Sequence, residues 1–232
     1  MKVYVLIPVL FLGAVAMAEE SSDGAEAIVR NYCVAAQNQA APPGASTMEV
    51  EIQGALPKLS KTGKLHALRR ISALGRITYE VLGFEGDGTV KRDLIARYLA
   101  AEIRAQQDHA AAMAVTPDNY RFHFKGRSEL DGRQVYWFQV APKHKAQGLY
   151  KGDLWIDAVT YLKVQESGYL VKSPSIFLKR VAFTRKYETR DGRAVPLRME
   201  SVVDTRLVGR AELTIDYSNY ALDETDAMDD AR

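Results

Sequence analysis

The sequence is short of the residues that most often announce chemistry. Its 232 residues include a single cysteine, Cys33, so no intrachain disulfide can form and a hydrophobic core must supply the stability. Cys33 sits in an apolar helical pattern, which reads as a buried, inert thiol rather than a nucleophile. The four histidines, His66, His109, His123 and His144, are scattered and form no HxH or HExxH spacing, so no metal site is expected. His123 alternates onto a polar strand face with Arg121 and Lys125. There is no G-x-S-x-G elbow, no Walker glycine run and no dinucleotide fingerprint, and Ser173-Pro174-Ser175 reads as a loop or bulge. Carboxylate pairs such as Glu49 and Glu51 stand on the outward face of a strand, the usual place for solvation. With no convergent polar set to name as catalytic, the expectation is a non-enzymatic protein without a cofactor.

An excess of one charge is missing too. Lys and Arg number 31 against 29 Asp and Glu, a net charge of +2, which argues against a general nucleic-acid binder. The charges are unevenly placed. Between Lys58 and Arg76 stand Lys58, Lys61, Lys64, Arg69, Arg70 and Arg76 with no acid among them. Such a run either meets anionic head groups or an acidic partner, or is a solvated edge-strand face. Five acids between Asp223 and Asp230 make 223–232 an acidic, disordered tail by composition.

The long apolar run is at the N-terminus. Met1-Lys2 leads into an apolar stretch from Val3 to Ala16, then the small-x-small site Ala16-Met17-Ala18 before Glu19, the three parts of a secretory signal over residues 1–18. The stretch is short for a transmembrane span of ~20 residues, and Pro8 interrupts it. No cysteine follows it, so the lipid-attachment signal of a bacterial lipoprotein is missing. Cleavage after Ala18 would leave a soluble periplasmic or secreted chain, with one domain over 19–222.

What is present is patterned apolar sequence, 47% of the chain. Residues 24–38 place Ile28, Cys33 and Val34 near helical spacing with Tyr32 beside them. After the breaker at 41–46 the period becomes 2: Met48, Val50, Ile52 and Leu56 face one way, Glu49, Glu51 and Gln53 the other. Strands follow at 63–74 and 76–84, the latter with Ile77, Tyr79 and Val81 on one face. A second helix, 89–114, carries Leu94, Ile95, Tyr98, Leu99, Ala101 and Ile103. The remainder alternates strand by strand through turns that include Asp131-Gly132 and Asp191-Gly192. One helix, three strands, a long helix and roughly seven more strands predict a mainly β, α+β fold. A single curved antiparallel sheet would form a half-open β-barrel covered by a helical lid.

The inward strand positions are Met48, Ile52, Tyr79, Phe122, Phe124, Leu154, Ile156, Phe183, Met199 and Tyr217. Alternation alone does not decide whether they fill a core or line a cavity. The VYWFQV run that holds Trp137 is apolar on both faces, and Trp155 points opposite to Leu154 and Ile156, so either the strand is covered on both sides or an aromatic is exposed for contact.

Several short motifs occur in combination: Gly126…Leu130-Asp131-Gly132…Val135-Tyr136 with Ala141-Pro142-Lys143; Leu154-Trp155-Ile156-Asp157 with Thr160-Tyr161-Leu162; and Tyr187 with Asp191-Gly192…Val195-Pro196. With the order of elements, these make residues 26–220 resemble the outer-membrane lipoprotein-sorting (LolA/LolB-like) superfamily of periplasmic proteins. The resemblance implies a half-barrel with a helical lid whose concave face holds acyl chains of lipids or lipoproteins. It implies no enzymatic activity, and it allows for a protein partner in the inner or outer membrane. The ten inward positions become the expected ligand-binding face. Leu94, Tyr98 and Leu99 become the inner side of the lid. Two other readings stay open: an envelope lipid sensor or regulatory module, and a secreted hydrolase of lipid-like substrates.

Overall fold

The computed structural model describes residues 22–40, 45–108, 110–173, 178–206 and 209–222. The expected signal segment, the expected acidic tail, His109 and part of the Ser-Pro-Ser segment lie outside them. Helix α1 spans Ser22–Ala40. Three strands follow: β1 (Ser46–Leu56), β2 (Lys61–Ile71) and β3 (Ile77–Gly86). A segmented helix then runs from Gly88 to Asp108, a short helix occupies Ala110–Met113, and β4 (Tyr120–Leu130) to β10 (Arg210–Leu222) complete the described chain. Between these lie β5 (Arg133–Pro142), β6 (Tyr150–Asp157), β7 (Lys163–Leu170), β8 (Leu178–Arg190) and β9 (Arg193–Thr205).

All ten strands form one antiparallel sheet in the order β3-β2-β1-β10-β9-β8-β7-β6-β5-β4. The first and last thirds of the chain join where β1 pairs with β10. β3 and β4 stand at opposite ends of the order, so among the described residues the sheet is open. Both helices cover the same face of it. The architecture is the half-barrel with a helical cover that the resemblance implies.

The turns explain the meander. Leu130 pairs with Arg133 and Arg190 with Arg193 across two-residue loops, Asp131-Gly132 and Asp191-Gly192. All four loop residues have positive φ, the geometry whose twist matches the strands it joins. Gly152 and Gly168 face each other across β6 and β7, and a Cβ on Gly152 would lie 1.9 Å from the Ser167 carbonyl oxygen. Only glycine lets the two backbones approach so closely.

Helix α1 buries Ile28, Val29 and Tyr32, with Ala25 and Cys33 beside them. Val34, expected on this face, is 55% exposed. It lies two residues, about 200° of helical rotation, from Tyr32. At its end, the Gln39 side-chain oxygen accepts from the Ala194 N–H (2.9 Å), and Arg193 Nη1 donates to the Gln39 carbonyl (2.9 Å). A cation on the last carbonyls of a helix complements its dipole. Cys33 is half-buried, and burial, with Asp118 adding to it, raises its thiol pKa.

The second helix begins where the Asp87 carboxylate accepts from Thr89 N–H (2.7 Å), an N-cap. One α-helical turn (Gly88–Val90) is followed by a π-helical turn (Lys91–Ile95) and an α-helix (Ala96–Asp108). The wider π turn brings Val90 and Ile95, five residues apart, onto one face, both wholly buried. They pack over Gly54, where a Cβ would come within 2.8 Å of Val90 Cγ1.

Two bulges shift strands off simple alternation. β8 and β9 slip at Lys186/Tyr187, where Tyr187 pairs with Pro196 and Lys186 with Arg198. Leu197 is left over and is 40% exposed, although it has the sequence parity of the buried Met199. A second slip at His66/Ala67 leaves Leu82 without a partner; Val81 still pairs with Ala67 on the inner side but, on the edge strand, is 51% exposed.

Candidate ligand-binding face

The pairing register strings one residue from each strand into a row across the whole inner face. From the centre outward on one side it runs Met199, Ile215, Ile52, Leu65 and Phe84. On the other side it runs Leu154, Phe138 and Phe124. The two central members are charged: Arg185 on β8 and Glu166 on β7, paired with each other. Eight apolar positions thus flank one ion pair.

The apolar positions form two clusters, each under its own helix. One joins α1 to Tyr136, Phe138, Leu154, Ile156 and Phe183, with Phe122 and Phe124 packed against it. The other joins the second helix to Met48, Ile52, Leu65, Met199 and Ile215, with Tyr79, Tyr217, Leu94, Tyr98 and Leu99 against it. All ten positions expected on the binding face are therefore on the inner face. Met48, Ile52, Leu154, Ile156, Phe183 and Met199 are buried; Tyr79, Phe122, Phe124 and Tyr217 are half-buried. The three expected lid residues, Leu94, Tyr98 and Leu99, meet the sheet as half-buried side chains.

Between the clusters lies the polar centre. The Glu166 side chain is 4% exposed and saturated. One oxygen accepts from Arg185 Nη1 (3.3 Å) and from the Tyr187 hydroxyl, the other from the Tyr150 hydroxyl (3.2 Å). Lys163 Nζ stands 3.9 Å away and 4.1 Å from the centre of the Tyr187 ring. Burial alone would push the carboxyl pKa up, but Lys163, Arg185 and the Tyr187 hydroxyl overcome it and hold the group at about 2. Burial raises the phenols of Tyr98, Tyr150 and Tyr187, and that of Tyr217 to about 12, so all four stay protonated donors at neutral pH.

A second polar cluster ties the lid down. Arg69 Nη2 donates to Glu102 on the second helix (3.1 Å), the Tyr79 hydroxyl donates to the other Glu102 oxygen (2.7 Å), and Arg69 Nε donates to Tyr79 (3.1 Å). Arg69 is only 7% exposed, although it belongs to the basic run. The rest of that run is largely neutralised: Lys61 pairs with Asp87, Lys64 with Glu51 and Arg70 with Glu80.

Neither charged cluster was foreseen from the sequence. Arg185 has the strand parity of Val181, Phe183 and Tyr187, Glu166 that of Val164, and Arg69 that of Leu65 and Ala67. Parity was the available signal. On the α1 side a cleft of about 460 Å³ adjoins the polar centre, lined among others by Tyr32, Gln39, Tyr161 and Lys163. On the outer face Trp137 and Trp155 stack at 6.3 Å, half-buried, with Trp137 Nε1 donating to Asp153 (2.8 Å). Among the described residues no group of three His, Cys, Asp or Glu could hold a metal ion, and no helix is long and apolar enough to cross a membrane.

The fold and the face define an open, helix-covered half-barrel with an apolar interior divided by one ion pair. No protein-family model and no curated protein matches the chain. Among solved structures it is similar to a DUF1329 family protein from Desulfovibrio piger, at 14% identity over 86% of this chain and 93% of that one, TM-score 0.44. It is also similar to a LolA superfamily protein from Nitrosomonas europaea, at 11% identity over 86% and 94%, TM-score 0.38.

Proposed function

We propose that the protein is an exported, non-enzymatic carrier or binder of acyl chains, working in the periplasm with its ligand on the inner face between the two helices. The observation that carries this reading is the inner-face row. It is apolar over eight strands yet covered by two separate helices that leave its centre open, as the 43% exposure of the Arg185 side chain attests. An acyl chain laid against such a face gains ~0.8 kcal/mol for each methylene removed from water. The half-buried Tyr79, Phe122, Phe124 and Tyr217 are the first surfaces it would meet, and the buried positions follow as the helices part. The Arg69–Tyr79–Glu102 cluster holds the second helix down until a ligand competes.

Native mass spectrometry of protein purified from the periplasm, with extraction of what it carries, tests this. A lipid bound in stoichiometric amount is the expected result. A lipid-free chain that also takes up no apolar fluorescent probe would overturn it.

A second reading, a regulatory module that binds a membrane-bound protein, is favoured by strand β3. It is an edge strand with Val81 and Leu82 exposed, and Leu74 beside it is 94% exposed. Co-purification of one stoichiometric protein and no lipid would favour that reading over the carrier.

A further inference from the structure

We infer that the polar centre of the inner face is a head-group site, and that the ligand is a singly anionic amphiphile whose acidic group binds Arg185. This rests on the acyl-binding reading and adds the chemistry at one end of the ligand.

The two members of the central pair are not in the same state. Glu166 has both oxygens engaged by three hydrogen bonds and is shut off from solvent. Arg185 spends one N–H on it. A guanidinium has five donors, and among the described residues the rest meet no protein acceptor. Its guanidinium carbon sits over the Phe183 ring, 4.6 Å from the ring centre, and 43% of the side chain is exposed, so its unused donors are within reach of a ligand. A planar fork of free donors held on an aromatic ring matches a carboxylate or phosphate oxygen pair.

The local charge points the same way. Lys163 and Arg185 are two cations against the one carboxylate of Glu166, which leaves one net positive charge. Among the described residues, Arg69 and Glu102, the charges nearest this centre on the side of the second helix, neutralise each other. The phenols of Tyr98, Tyr187 and Tyr217 are uncharged and lie around the guanidinium as further dipoles. An uncompensated cation in an apolar setting is unfavourable, and one anion relieves it. A dianion would exceed the available charge, and a neutral head would leave the donors unused.

The test compares three twelve-carbon amphiphiles, each below its micellar concentration, as competitors of a bound apolar fluorescent probe. Dodecanol is neutral, dodecanoate carries a carboxylate, and methyl dodecyl phosphate carries a singly charged phosphodiester. Wild-type protein should bind one or both anions at least about tenfold more tightly than dodecanol. The tighter of the two tells whether a carboxylate or a phosphodiester is the natural head. In Arg185→Gln the preference should vanish while dodecanol binding persists, and in Arg185→Lys part of it should remain. Equal affinity for all three in wild-type protein, or a preference that survives in R185Q, would overturn the head-group site and leave the acyl-binding reading standing. Failure of probe and all three amphiphiles to bind would overturn both. The wild-type comparison holds even if R185Q does not fold.

Discussion

Replacing Glu166 by Gln removes the one carboxylate that balances Lys163 and Arg185, and the cost can be worked from its environment. The folded state holds this carboxyl at about 2 against an ordinary 4.5. Because the folded pKa is depressed, the stability it contributes is fully present above about pH 4.5 and drains away as pH falls through about 2. At ~1.4 kcal/mol per unit, the ion form is worth about 3 kcal/mol at neutral pH. The cations left behind, Arg185 and Lys163, are partly exposed, so stranding them adds less than stranding a wholly buried charge would. Urea unfolding of wild-type protein and Glu166→Gln, followed from about pH 7 down to about pH 2.5, isolates this group, since every other carboxylate is common to both. The gap should be about 3 kcal/mol at neutral pH and should shrink by more than half across the acid range. A gap that stays constant with pH, or one below about 1 kcal/mol at pH 7, would refute the claim that an ionised, saturated Glu166 anchors the centre of the face.

Two further substitutions probe the rest of the inner face. Ile156→Ala, at a position with no exposure in the α1 cluster, should cost about 2–5 kcal/mol in chemical denaturation, whereas Phe122→Ala on the edge strand β4 should cost clearly less and weaken probe binding instead. Tyr79→Phe removes the 2.7 Å bond to Glu102, worth about 1–1.5 kcal/mol, so amide exchange in residues 88–104 should quicken about tenfold while that of β5 and β6 stays unchanged.

The strand count, the two helices and the Asp-Gly turns were legible because a period of 2 broken by positive-φ residues has few other readings. So was the inward set, Met48 to Tyr217, since parity along each strand is a local property. Three things were not. Leu197 follows the alternation in the sequence but not in the sheet, because a bulge depends on the register of the partner strand, and Val81 keeps its inward side yet stays exposed because β3 is an edge strand. The π turn at Lys91–Ile95, which sets Val90 and Ile95 on one buried face although they are five residues apart, has no signature in an ordinary helical period. Arg69, Glu166 and Arg185 share the parity of buried neighbours, yet a charged residue on a strand defaults to solvent until a partner on another element is known. Glu102 lies 33 residues from Arg69, and Glu166 lies 19 from Arg185. The question that alternation left open, filled core or lined cavity, has a mixed answer in geometry: two filled clusters with an open polar centre.

The most direct test of the central claim uses a spin-labelled fatty acid titrated into isotope-labelled protein, with paramagnetic broadening read by NMR. The two tryptophans, Trp137 and Trp155, are both on the outer face and serve as an internal reference. Saturable broadening of Tyr98, Arg185 and Tyr217, with both indole signals left sharp, is the expected result. Broadening centred on the indoles, or none at any concentration, would contradict an acyl ligand held on the inner face.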